Sequence, residues 1–198
     1  MLLTDVTILD NITILEESKS GGTMRVRGVF QRADEPNNNG RLYEKRILER
    51  EIVRLCDSLS ERRLMGELDH PTYDSVKLQN VSHLITNLKM VGNDMIGEAE
   101  LLNTPAGLTA QALVKSGVKL GISSRGLGTL TESDGVKKVN NDYKLITFDL
   151  VADPSTKGAY PSHVNENSIL VEETIRSTMG KVTAERVFIT LLKNKLNK

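Results

Sequence analysis

A chain of 198 residues can bury a sizeable core, and 26 basic against 26 acidic side chains leave no net charge. That balance removes the usual electrostatic reason to name DNA or RNA as the main partner, and 4% aromatics without tryptophan argue against stacking on single strands or sugars. One cysteine forbids an intramolecular disulfide, no apolar run approaches the ~20 residues of a membrane span, and the first residues lack the basic start of a signal peptide, so a soluble protein of a reducing compartment is expected.

Residues 1–16 alternate apolar and polar, with a turn signal at Asp10-Asn11, and predict a strand or hairpin. Met24 to Phe30 alternates again, and the polar run Asp34 to Gly40 is a loop by composition. Tyr43 to Arg63 predicts a helix, because Leu48, Ile52, Leu55 and Leu59 recur on one face; Cys56 is expected to pack there. Val76 to Leu88 and Met90 to Leu102 predict two strands around Val91-Gly92-Asn93-Asp94. Thr104-Pro105 opens a second helix that Gly117 closes. Val118 to Ile122 predicts a strand running into a glycine-rich turn, Gly121 to Thr129, and Glu132 to Gly135 a further turn. Tyr143 to Ala152 predicts a strand, and two short helices are expected near 168–179 and 183–196. Many strands around a few helices, without a βαβ rhythm, predict an α+β, mostly β fold: an antiparallel β-barrel or strongly curved sheet flanked by helices.

Two segments carry chemistry. Ser124, in Gly121-Ile122-Ser123-Ser124-Arg125-Gly126-Leu127-Gly128, is a hydroxyl in a small-residue stretch, and His70, in Met65-Gly66-Glu67-Leu68-Asp69-His70-Pro71, is a base packed between glycine, proline and two carboxylates. A serine becomes a nucleophile when a base takes its proton, and the oxyanion needs backbone N–H donors, here expected near Arg125 and Gly126. Ser123 and Ser124 face opposite ways if the segment is extended, so only one of them can meet the base. Glycine two residues on favours Ser124, although the segment is not a Gly-x-Ser-x-Gly elbow. His83, in an alternating run, and His163, in a late loop, are rival bases. Asp149, acidic inside Phe148-Asp149-Leu150-Val151, is the favoured third member, with Asp153, Glu67 and Asp69 as alternatives. Glu67, Asp69 and His70 also form a weaker candidate metal set without the i, i+4 spacing of a helical zinc site.

On these residues the chain resembles the T4-like prohead core protein proteases of tailed bacteriophages. The likeness rests on Asn39-Gly40-Arg41-Leu42-Tyr43, the His70 and Ser124 segments, and Asp149-Leu150-Val151-Ala152-Asp153-Pro154, over roughly residues 29–160. The resemblance implies an assemblin-like serine protease fold with chain order His, Ser, third residue, and its Ser-x-Gly register favours Ser124-Arg125-Gly126. The assemblin third residue is a histidine, where this chain offers Asp149, and a further oxyanion contributor is implied near Lys157-Gly158.

The implied function is a serine endopeptidase that needs no cofactor. It would degrade scaffold and trim capsid protein inside the assembling prohead in the host cytoplasm, cutting after Glu in Leu/Ile-x-Glu. Scaffold or core proteins and the major capsid protein are the implied substrates, and a homo-oligomer is an open expectation. Ile14-Leu15-Glu16, Ile96-Gly97-Glu98 and Leu170-Val171-Glu172 carry the cleavage pattern, so Glu16 and Glu172 are candidate autocleavage sites. Residues 1–198 are then one protease domain from which 1–16 and 173–198 would be removed on activation. The competing expectation is a non-catalytic prohead core component of the same fold.

Overall fold

The computed structural model describes residues 1–7, 12–15, 24–133, 135–152 and 161–164, with side chains over 1–5, 24–133 and 135–152. Twelve strands and two α-helices lie among the described residues. Helix α1 (Lys45–Ser60) buries Ile47, Leu48 and Leu55, while Val53 and Cys56 face solvent. Cys56 therefore sits one step off the apolar stripe on which it was expected. Helix α2 (Pro105–Lys115) begins as predicted: the Thr104 side chain accepts the Gly107 N–H at 3.1 Å and proline follows the cap. Gly117, at φ +79°, ends the turn that follows.

The strands form three sheets. In the largest, β12 (Pro161–Val164), β2 (Ile12–Leu15), β3 (Arg25–Arg32), β7 (Asp94–Leu101), β6 (Val81–Val91) and β5 (Met65–Glu67) lie in that order. Strands β6 and β7 form the expected hairpin, turning at Gly92 with φ +63°. The second sheet orders β1 (Leu2–Thr7), β8 (Gly121–Leu127) and β11 (Lys144–Val151), all antiparallel. The third joins β4 (Arg41–Leu42), β10 (Val136–Val139) and β9 (Leu130–Ser133), with β4 and β10 parallel. The mostly β, largely antiparallel fold is as expected, but among the described residues no sheet closes on itself, so the barrel form of the expected barrel or curved sheet is not shown. The first two sheets meet through one parallel bridge, Leu68 to Leu150. Of the strand or hairpin expected over 1–16, the described residues give two strands in different sheets, β1 paired with β8 and β2 with β3.

Phe30, Ile47, Leu48, Ile85, Met95, Ile122, Phe148 and Leu150 are fully or almost fully buried between these sheets and α1, with Phe30 edge-on to Phe148 at 5.1 Å. The expected helices near 168–179 and 183–196, and the boundaries at residues 16 and 172, lie outside the described residues.

Two glycines of the motifs are packing residues. A Cβ on Gly126 would sit 2.5 Å from the Tyr143 ring, and one on Gly66 would sit 2.1 Å from the Phe148 carbonyl oxygen and 2.3 Å from the His83 ring. Main chain cannot yield as a flexible side chain can, so Gly66→Ala is expected to cost about 3 kcal/mol, the upper end for overpacking. Val53→Ala, on an exposed position, should stay within about 0.5 kcal/mol. Urea denaturation midpoints of the two variants check this; equal midpoints would contradict it.

Candidate active site

Strand β8 is the interior strand of its sheet, so its main-chain groups face β1 on one edge and β11 on the other. The predicted glycine-rich turn is thus a strand, and its side chains alternate between two faces. Ser123 and Arg125 share one face; Ser124 and Gly126 share the other. Arg125 and Gly126, expected to offer amides to an oxyanion, lie within this ladder, opposite Thr147 and Leu145 on β11. In-plane amides of a strand flanked on both edges do not point into a cleft. Gly126 serves to admit the Tyr143 ring. Lys157 and Gly158 lie outside the described residues.

His70 reaches the Ser123 face by a short chain of local causes. After β5, the Asp69 N–H donates to the Leu150 carbonyl at 2.7 Å, and Asp69 takes φ +67°, a left-handed conformation that aspartate tolerates. The corner turns the chain so that His70 Nε2 hydrogen-bonds Ser123 Oγ. His70 is a quarter exposed and Ser123 fully buried. Ser124, by contrast, donates its hydroxyl to the Asp5 carbonyl at 3.1 Å on the opposite face. The expected pairing of Ser124 with His70 therefore gives way to Ser123, because strand parity puts the two hydroxyls on opposite sides.

Asp149 is fully buried on β11, directly opposite Ser123. A bulge makes this register. Between Leu145 and Thr147 one extra residue enters β11; without it Phe148 would stand opposite Ser123. Helix α1 holds the start of the bulge: the buried Glu51 carboxylate accepts the Leu145 N–H at 2.8 Å, and Arg50 donates to the Tyr143 carbonyl at 2.5 Å. Asp149 Oδ2 lies 3.6 Å from His70 Nδ1, and neither atom has an aligned hydrogen bond. Asp149 Oδ1 accepts from the Glu67 N–H at 3.1 Å and from Arg125 Nη2 at 2.9 Å.

Glu67 is buried and committed to partners other than His70. It accepts from the Lys77 N–H at 2.5 Å and from the Tyr73 hydroxyl at 3.2 Å, fastening the 68–80 loop. Asp69 is exposed, and no cluster of three metal-ligating side chains occurs among the described residues. His83 is fully buried, with Nε2 3.0 Å from the Phe148 carbonyl oxygen and Nδ1 2.9 Å from Ser82 Oγ, so it braces the β11 backbone beside Asp149. His163 falls on β12 and Asp153 outside the described residues, so no side-chain statement applies to either.

A prohead core protein serine protease family model matches residues 4–169. The chain belongs to that family. The prohead core protein protease of Enterobacteria phage T4 is 31% identical over 179 residues, covering 84% of each chain. The solved structure of the bacteriophage T4 capsid assembly protease, gp21, matches with a TM-score of 0.72 at 28% identity, over 78% of this chain and 98% of that one. As a member of a peptidase family, the chain carries a mostly β fold with two described α-helices, like that of its solved relative.

Sequence reasoning missed the other face of β8. Asp5 on β1 is buried and accepts from Asn39 Nδ2 at 2.8 Å, from Arg41 Nη1 at 2.9 Å and from the Tyr43 hydroxyl. The Asn39-Gly40-Arg41-Leu42-Tyr43 motif therefore clamps the first strand against β8. Burial, then the neighbouring Tyr143 and Asp5, push the Tyr43 phenol well up, so it stays a donor. An acidic residue within an alternating apolar run and three hydrogen-bonding types in one motif were the available signals.

Burial lowers the pKa of His83 to about 4, against the pull of Asp149 and the Phe148 carbonyl. The unfolded chain, with an ordinary histidine, takes up this proton first as the pH falls below about 6.5. Stability from neutral His83 is thus intact above that point and lost progressively down to about pH 4, by about 3 kcal/mol in all. Chemical denaturation at pH 7 and pH 5 should show wild type losing more stability than His83→Gln; equal losses would contradict the assignment.

Proposed function

We propose that this chain is the serine endopeptidase of prohead maturation, with Ser123 as nucleophile, His70 as general base and Asp149 as the acid that steadies the imidazole. The single observation that supports it most is the hydrogen bond between His70 Nε2 and Ser123 Oγ. In this reading Ser123 Oγ attacks a peptide carbonyl while Nε2 takes its proton. The imidazolium then presents Nδ1–H to Asp149 Oδ2, now 3.6 Å away, and Nε2 returns the proton to the leaving amine. Contacts of this kind are commonly long before substrate binds and tighten afterwards.

Scaffold and capsid proteins of the prohead are the substrates this reading assigns, with cleavage after Glu in Leu/Ile-x-Glu. The full burial of Ser123 fits a latent form, since a substrate carbonyl reaches Oγ only after the covering groups move. Autoprocessing after Glu16 or Glu172 belongs to the same proposal, and both residues lie outside the described ones. Ile96-Gly97-Glu98 sits in β7 between β3 and β6 and is not an accessible site in the folded chain.

The deciding experiment compares alanine variants on a scaffold protein with Leu-x-Glu sites. Ser123→Ala and His70→Gln should each lose at least about 10⁴-fold in cleavage rate. Ser124→Ala, which gives up one buried hydrogen bond worth about 1 kcal/mol, should keep its rate within a few-fold. A dead Ser124→Ala beside an active Ser123→Ala would reverse the assignment, and an inactive wild type in its processed form would favour the non-catalytic core component.

The Asp5 clamp adds a prediction about processing. A cut after Glu16 should leave the first segment seated on β8, because Asn39, Arg41 and Tyr43 still hold Asp5. Native mass spectrometry of cleaved enzyme should find the 1–16 peptide bound, and denaturing conditions should release it. Loss of the peptide under native conditions, with activity retained, would contradict this.

A further inference from the structure

Arg125 is the largest fully buried side chain among the described residues. A cation without water needs charged and polar partners close around it. Its Nη1 donates to the Tyr73 and Ser75 carbonyls at 3.1 and 2.9 Å, and its Nη2 to Asp149 Oδ1 at 2.9 Å and Glu67 Oε2 at 3.5 Å. Its Nε stands 2.9 Å from Asp149 Oδ2, the oxygen that also faces His70 Nδ1. The guanidinium thus holds Asp149 by one hydrogen bond to Oδ1 and a close charge contact at Oδ2, without an aligned Nε–H bond, and so constrains how that group meets the imidazole.

We propose that Arg125 is the positioning residue of this site: it aims Asp149 at His70 and, balanced against Glu67, sets the charge the imidazole feels. This rests on the assignment of His70 as the base. Two buried carboxylates against one guanidinium leave the cluster with a single net negative charge while His70 is neutral. Protonation of His70 during acyl transfer makes the cluster neutral.

The other groups facing this cluster do not replace Arg125. His83 on β6 is committed to Phe148 and Ser82. Tyr73 is bound to Glu67 and Asn80. Asp69, Asp74 and Lys77 of the loop are exposed, the last over the Tyr73 ring. Asp5, Arg41, Tyr43 and Tyr143 belong to the opposite face of β8.

Opposite pH shifts follow from opposite charge changes. Glu67→Gln removes a negative charge and leaves Arg125 to pair with Asp149 alone; both effects weaken the pull on the imidazolium. The pH midpoint of the His70 imidazole should then fall by about one unit. Arg125→Gln leaves two uncompensated carboxylates and should raise it by a similar amount. Arg125→Lys keeps the charge but not the fork, so the midpoint should stay within a few tenths while cleavage slows.

The measurement is NMR of the full chain labelled with ¹³C-histidine, with the His70 resonance assigned through His70→Gln. It needs no turnover, so a protein that fails to cut scaffold yet shows the shifts would sink the protease reading and keep this one. Should Arg125→Gln fail to fold, Glu67→Gln and Arg125→Lys still decide. An unmoved or raised midpoint in Glu67→Gln, or a Lys variant shifted as far as expected for Gln, overturns the proposal.

Discussion

Strand β8 has side chains of period two and a neighbouring strand on each edge, so every residue in it is committed to one of two faces. One face receives Ser123 and Arg125, with His70, Asp149 and Glu67 assembled around them. The other receives Ser124 and Gly126, with Asp5, Tyr43 and Tyr143. A slip of one residue would exchange the faces and dismantle both. The bulge after Leu145 sets the same parity on β11, and helix α1 pins it through Glu51. Register on both strands is therefore what the chemistry depends on, and main-chain clamps on the two sides fix it.

Each face contains a buried charge network, and such networks are expensive. Removing one partner from a buried pair commonly costs about 3–5 kcal/mol, whereas replacing the whole set by apolar groups is often neutral. Stability alone does not explain Arg125 between two carboxylates. Nor does it explain Asp5, held by an arginine, an asparagine and a tyrosine. What both networks supply is direction. Arg125 fixes the carboxylate edge that faces His70, and Asp5 fixes the edge strand that keeps Ser124 turned away from it.

The sequence made His70 and Asp149 legible because each combines a polar function with an unusual setting: histidine between glycine and proline, aspartate in an apolar run. It also showed α1, α2, the β6–β7 hairpin and β11, through helical spacing, cap and turn signals and apolar runs. Ser123 was hidden by a misread backbone. Small residues and glycines suggest a turn, yet in Gly121–Leu127 they make room for the Tyr143 ring and the neighbouring strands. Within a strand, Arg125 two residues from Ser123 and a bulge on the partner decide which serine faces His70, and a bulge has no composition of its own. The pairing of β1 with β8 rests on contacts across more than a hundred residues, which local alternation cannot reveal. Likewise, three separate ladders and a barrel share the same strand patterns; only which strands pair distinguishes them.

Glu67 links access to chemistry. Its two carboxylate oxygens hold Lys77 and Tyr73, and so the loop that follows His70, while one of them also shares Arg125 with Asp149. His70 itself lies against the buried Ser123, at the head of that loop. Lifting the loop to admit a peptide would strip Glu67 of those donors and Arg125 of the Tyr73 and Ser75 carbonyls. Arg125 would then depend more heavily on the two carboxylates beside His70. The loop and the charge cluster beside His70 are therefore tied together, because Glu67 and Arg125 anchor both.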